Sequence, residues 1–405
     1  MTTPIRIEEL ARYFHFHVPP GLPKSQPACF AFCVPTEKTV ARWPGFPRAA
    51  LPDTGRAASG KGLTLEACRM SALGEAIELA SACAWGDEAL ERATAAELGS
   101  DALLPSDVLG YSATQLEERD AWNSGIWGSL DWRPAPLQPD TPLDWVAAVD
   151  ALDGELRWTP ADLVFIGRRY AGEEAAVAVA TTAGCAAGVT RDAAQLSAVC
   201  ELIERDAAGR WWYGQVPGTA APANALAGAP ELSHYLHARK RQTRLVDLGA
   251  EFGPSVVAAV SFEPDGTRLS LGFACHHDFA TAALSATLEL LQTEIGIGQR
   301  EALGDPVTRD WLATAKREFL PAEKSTEKAL PYEAKVQREN RLSATLEALS
   351  AARHPVIFVD LTRVAFGVPV FRAQAPGLCS DRPRFGSLRM PSTQGGPAHT
   401  YPIGV

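Results

Sequence analysis

Ser71-Ala72-Leu73-Gly74-Glu75-Ala76-Ile77-Glu78 is one of three copies of a single phrase. The second is Ser197-Ala198-Val199-Cys200-Glu201-Leu202-Ile203-Glu204, and the third is Ser285-Ala286-Thr287-Leu288-Glu289-Leu290-Leu291-Gln292. On a helix the offsets 0, +4 and +7 fall within an arc of roughly 60°, so each copy presents one polar column. One turn further in each direction the columns stay small: Ala67 and Ala82, Ala193 and Ala208, Thr281 and Gly296. A solvated ion-pair face would interleave Lys or Arg, and no column holds one. If the columns converge, five carboxylates share a small volume, and each pair near 5 Å would cost roughly 3 kcal/mol at an effective dielectric near 20. Mg²⁺ completed by phosphate oxygens is the common remedy for such a donor set.

A fourth pentad, Ser343-Ala344-Thr345-Leu346-Glu347, tests how much the pattern means. It lies among Lys335, Arg338, Arg341 and Arg353 and reads as an ordinary exposed helix. The first three differ in their lead-ins: Gly60-Lys61-Gly62, Gly184 to Gly188, and Cys275-His276-His277. Thr64, Thr190 and Asp278 are N-cap residues, and Glu66 and Asp192 add first-turn acids. The helices are therefore expected over about 64–83, 192–213 and from 279 onward.

The repeats begin 126 and then 88 residues apart in a chain of 405, too far and too unevenly for a solenoid. A pseudo-symmetric core with insertions fits better. A net charge of −10 argues against a nucleic-acid or anionic-membrane surface. No apolar run reaches membrane length, and eight cysteines without a C-x-x-C pair suit a reducing compartment, so a soluble cytoplasmic protein is expected. Strands are expected at 29–34, 143–149, 156–159, 175–182, 256–262, 269–274, 356–360 and 368–373. Strands feeding helices, with hairpins between, indicate an α+β core.

Other candidates have simpler readings. Cys275-His276-His277 suits a turn better than a metal site, because adjacent residues rarely share one tetrahedral ion. Cys185 reads as a small filler in a tight turn, and Trp211-Trp212-Tyr213 as core. Gly60-Lys61-Gly62 is too short for a P-loop, although Lys61 is placed to reach a phosphate.

The chain resembles the YcaO family. The resemblance rests on Gly60-Lys61-Gly62 before Ser71, Glu75 and Glu78, and on Gly184 and Gly188 before Glu201-Leu202-Ile203-Glu204-Arg205-Asp206. Asp153-Gly154 leading to Trp158-Thr159-Pro160-Ala161 adds to it, as does Asp360-Leu361-Thr362-Arg363 leading to Gly367-Val368-Pro369-Val370 and Pro376-Gly377. It implies a YcaO-like α+β fold with three pseudo-equivalent acidic helices packed on mixed and antiparallel sheets. The chain then divides into a Pro-rich arm (1–55), the YcaO-like domain (56–380) and an irregular tail (381–405).

The resemblance also implies ATP- and Mg²⁺-dependent chemistry on peptide backbone amides. The amide oxygen is phosphorylated, and an azoline or thioamide follows. Glu75, Glu78, Glu201, Glu204 and Glu289 would ligate metal directly or through water. Ser71, Ser197, Arg205, Gln292 and Lys61 would lie near the nucleotide. A peptide or protein substrate is expected, with a separate partner protein for its delivery or for sulfur transfer, because no fused leader-binding domain is visible. A homodimer is compatible with this reading. The sequence departs from the family at Leu79, Ala183, Ala193 and Ser285, which thins the cationic side of the site. It ends His399 to Val405 rather than in a Pro-x-Pro-x-Pro tail. The alternative is therefore a non-catalytic YcaO-like scaffold of a modification complex.

Overall fold

The structure is a computed structural model, and it describes residues 6–19, 26–46, 58–126, 129–168, 176–324, 338–391 and 403. Three sheets carry three long helices. The first sheet is antiparallel, in the order β1 (Phe14–His17), β2 (Cys29–Pro35) and β3 (Ala58–Gly62). Two of its strands therefore come from the segment expected to be an arm, and Leu10, Tyr13 and Phe14 are buried with them. Helix α1 (Leu65–Ala82), N-capped by Thr64, packs on this sheet.

The second sheet runs β4 (Glu91–Ala93), β5 (Leu143–Asp150), β13 (Ile357–Asp360), β14 (Val370–Gln374) and β7 (Cys185–Ala187), with β6 (Leu156–Pro160) paired to β5. Helix α2 (Arg191–Trp212), capped by Thr190, lies on β14 and β7. The third sheet runs β11 (Ser270–His276), β10 (Ser255–Phe262), β9 (Gln242–Gly249), β8 (Gly218–Ala220) and β12 (Glu323–Lys324). Its β8–β12 pair is parallel and the rest is antiparallel. Helix α3 (Phe279–Ala302), capped by Asp278, packs on β11 and β10.

The repeated phrase has a packing cause. Ala72, Ala198 and Ala286, the second residue of each copy, have no exposed surface. Opposite Ala72 lies Gly60 on β3, where a Cβ would overlap the backbone of Cys68 and Ala72. Opposite Ala286 lies Gly272 on β11, where a Cβ would overlap Ala286 and Leu290. A small residue on each side lets helix and strand backbones approach closely, and the Glu three residues on emerges beside the seam. In the fourth copy, on the helix α4 (Arg341–Ala351), Ser343 and Glu347 are exposed, as its basic neighbours implied.

Most expected strands are found within a residue or two. The exception is 175–182, whose described part (176–182) is irregular. Side chains bond parts of its backbone and of the residue that follows it. Arg372 donates to the carbonyls of Thr181 (2.6 Å) and Ala183 (3.0 Å), and Val177 N–H donates to Asp162 (3.0 Å). Pattern alone cannot separate an apolar strand from an apolar loop held this way.

Candidate functional site

Glu75, Glu78, Glu201, Glu204 and Glu289, from three helices on three different sheets, line one cavity of about 880 Å³. Cross-links hold the helices together there. Glu78 accepts from Ala187 N–H on β7 (3.2 Å). Lys61 Nζ on β3 donates to Glu289 Oε2 on α3 (2.5 Å). Gln292 on α3 donates to Ser59 on β3 (2.5 Å).

The electrostatics follow from that crowding. Glu75 is open to the cavity yet surrounded by protein elsewhere. Its burial pushes it up to about 7, opposed by Lys61 and reinforced by Glu289 and Glu201. Burial and then the charge of Glu289 push Glu204 up to about 8. Burial, Glu201 and Glu75 hold Glu78 well above the carboxylate range, and burial raises Glu201 against the pull of Arg205. These are desolvated hard-oxygen donors carrying more like charge than the nearby cations offset. Among the described residues no three acidic, imidazole or thiol groups are close enough to hold an ion alone. Mg²⁺ commonly uses one or two carboxylates and completes its shell with water and phosphate, so this donor set fits it when it arrives with a nucleotide.

The remaining expectations fall out unevenly. Ser71 and Arg205 line the cavity, and Lys61 reaches its edge through Glu289. Ser197 is exposed, and neither it nor Gln292 is among the lining residues. The +7 position of α3 instead turns onto β3, so the third column is shorter than its sequence copy suggests. Ala67, Ala193 and Gly296 also lie away from the lining. Cys185 is buried in β7 and its thiol is pushed up to about 12 by burial, which suits a filler rather than a nucleophile. His277 is buried beside Thr345 Oγ1 (3.2 Å), and Trp211, Trp212 and Tyr213 are core.

A second wall was not read from the sequence. Arg372 on β14 and Cys379, Ser380, Asp381, Arg382 and Arg384 beyond it also line the cavity. Burial would raise Asp381, but Arg205, Arg382 and Arg384 overcome this and keep its carboxyl below the usual range. Asp381, ahead of Glu201, Glu204 and Glu289, holds Arg205 protonated well above the usual guanidinium range despite burial. Leu79, one of the expected departures from the family, is a buried apolar part of the lining.

The fold and this site define a protein whose three acidic helices wall one cavity. The family model described as YcaO cyclodehydratase, ATP- and Mg²⁺-binding, matches residues 59–379, and the chain belongs to that family. An uncharacterized protein of Methanothermobacter thermautotrophicus is 29% identical over 344 residues, covering 79% of this chain and 81% of its own. Among solved structures, a heterocyclase in complex with substrate and cofactor superposes with a TM-score of 0.82 at 25% identity. That match covers 96% of this chain and 54% of the heterocyclase, so the chain spans about half its length. YcaO from Methanopyrus kandleri bound with AMPPCP and Mg²⁺ has a TM-score of 0.61 at 20% identity, over 92% of this chain and 88% of that one. The expected YcaO fold, with ATP and Mg²⁺ as cofactors, is thus met by the family. Among the described residues no helix is long and apolar enough to cross a membrane.

Proposed function

We propose that this protein activates backbone amides of a ribosomally made peptide or protein at the expense of ATP, and that cyclodehydration is the outcome. The observation that carries the reading is the convergence of five glutamates from three helices on one cavity. Similarity to a heterocyclase favours cyclodehydration over thioamidation. When bound, Mg²⁺-ATP would supply the phosphoryl group that makes the amide oxygen a leaving group, so that a Cys, Ser or Thr of the peptide can close the azoline.

Glu75, Glu78, Glu201, Glu204 and Glu289 are the residues proposed to hold the cation, directly or through water. Burial first, and then the like charge of neighbouring carboxylates, raises the proton affinity of Glu75, Glu78, Glu201 and Glu204, and that excess negative charge also favours a divalent ion. Ser71 and Arg205 are placed to meet the nucleotide, with Lys61 at the edge. A separate protein for substrate delivery is part of the proposal. A second reading, a scaffold that binds nucleotide without turnover, is favoured by Leu79 in the lining.

Titration calorimetry with AMPPCP, with and without Mg²⁺, tests the site, and ATP turnover with candidate peptides tests the activity. Mg²⁺-dependent binding together with peptide-stimulated turnover is expected. Binding without turnover in the presence of peptide and partner would select the scaffold. Absence of Mg²⁺-dependent binding would remove both.

A further inference from the structure

Arg205 and Asp206 are neighbours on α2 that face different tasks. The Asp206 carboxylate is buried and holds the segment after β14. It accepts from Cys379 N–H (2.9 Å) and, through both oxygens, from Arg389 Nε (2.9 Å) and Nη2 (2.8 Å). Arg389 also donates to Glu251 (2.7 and 3.1 Å), which Arg210 meets from α2 (2.9 Å). One turn after Gly209 on α2, the buried Tyr213 hydroxyl donates to the Asp381 carbonyl (3.0 Å). Residues 379–389 are thus strapped along α2, and the strap fixes the backbone of Asp381.

From that fixed backbone the Asp381 side chain, 18% exposed, takes Nη1 of Arg205. Nη2 of the same guanidinium reaches Glu201 at 3.2 Å. Arg205 is therefore shared between one proposed metal-binding carboxylate and one carboxylate that comes from outside the three helices. The family match ends at residue 379, two residues before Asp381.

We propose that Asp381 is a positioning residue for the nucleotide site, holding Arg205 at the cavity wall so that Glu201 and Glu204 remain available to a bound cation. The inference rests on the reading of this cavity as the Mg²⁺-nucleotide site. Without the Asp381 charge, the carboxylates left acting on Arg205 are Glu201, one turn back at i−4 and already in contact at 3.2 Å, and then Glu204 and Glu289. A guanidinium folded onto them competes with the cation for the same oxygens.

The test is Mg²⁺-AMPPCP affinity by calorimetry for the full chain, in a cycle of Asp381→Asn, Arg205→Ala and the double variant. Asp381→Asn is expected to weaken affinity about tenfold, and to add less than about twofold in the Arg205→Ala background, because contacting residues are coupled. Asp381→Glu keeps the ion pair and is expected to recover most of the affinity. It also carries the test if the Asn variant melts early. Wild-type affinity in Asp381→Asn, tighter binding, or an equal loss with and without Arg205 would overturn the inference while leaving the site reading intact. A wild-type protein that binds no Mg²⁺-AMPPCP would overturn both.

Discussion

The two walls of the cavity are built in opposite ways. The acidic wall stands on α1, α2 and α3, each 18 residues or longer and each seated on a sheet through a fully buried Ala. Its charges are placed by helical periodicity and left without enough cations. The basic wall comes from β14 and the irregular segment to residue 389, and its charges are largely paired. Arg205 meets Asp381, Arg382 meets Asp131 (3.6 Å), and Arg372 holds two carbonyls. Regular structure thus presents the uncompensated groups, while ion pairs position the compensated ones. Under-compensated charge on rigid elements is what a site for a multivalent ligand requires, since a ligand can then supply the missing counter-charge without rearrangement.

The largest expected effect tests the acidic wall. Glu204→Gln should weaken Mg²⁺-AMPPCP binding by about a hundredfold or more, read by calorimetry. The same variant should not destabilise the ligand-free protein. With its carboxyl pushed up to about 8 in the fold, Glu204 binds protons more tightly folded than unfolded. Its penalty on stability therefore grows as pH rises from near 4.5 to about 8. Denaturant melts should show Glu204→Gln more stable than wild type at pH 8 by on the order of 1 kcal/mol, converging toward pH 4.5. A variant less stable at pH 8 would mean that Glu204 is a paired structural acid, and the contrast between the walls would fail.

Arg389→Ala tests the basic wall. It strips the bidentate partner from the buried Asp206 and should cost about 3 kcal/mol in chemical denaturation. An unchanged midpoint would mean that the strap is held by something other than this clamp. The smallest effects test the seam beneath the acidic wall. Gly272→Ala should destabilise by about 2 kcal/mol, because helix and strand backbones must part. Gly298→Ala on the exposed side of α3, where a Cβ meets nothing, should stabilise by about 0.5 to 1 kcal/mol. Equal outcomes at the two glycines would remove the close approach as the reason for the repeat.

Legibility follows the range of the interactions involved. Thr64, Thr190 and Asp278 cap their helices through contacts three residues away, so the helix starts could be read directly. The exposed fourth copy was also readable, from its basic neighbours. The segment 176–182 misled, because the group that bonds its end, Arg372, lies some 190 residues downstream. The partner of Gln292 was not readable either, because Ser59 lies 233 residues away in the chain.

The sequence by itself determined that three helices would each carry a column of carboxylates beside a small-residue seam. That much depends only on a 3.6-residue period and on side-chain volume, both local properties. Tertiary structure alone decided which charges answer them. Arg205 meets Asp381 across 176 residues of chain and Lys61 meets Glu289 across 228, and no periodicity links such positions. Those pairs exist because folding three sheets together brings the groups within a few ångströms in a desolvated cavity, where a counter-charge matters far more than it does in water.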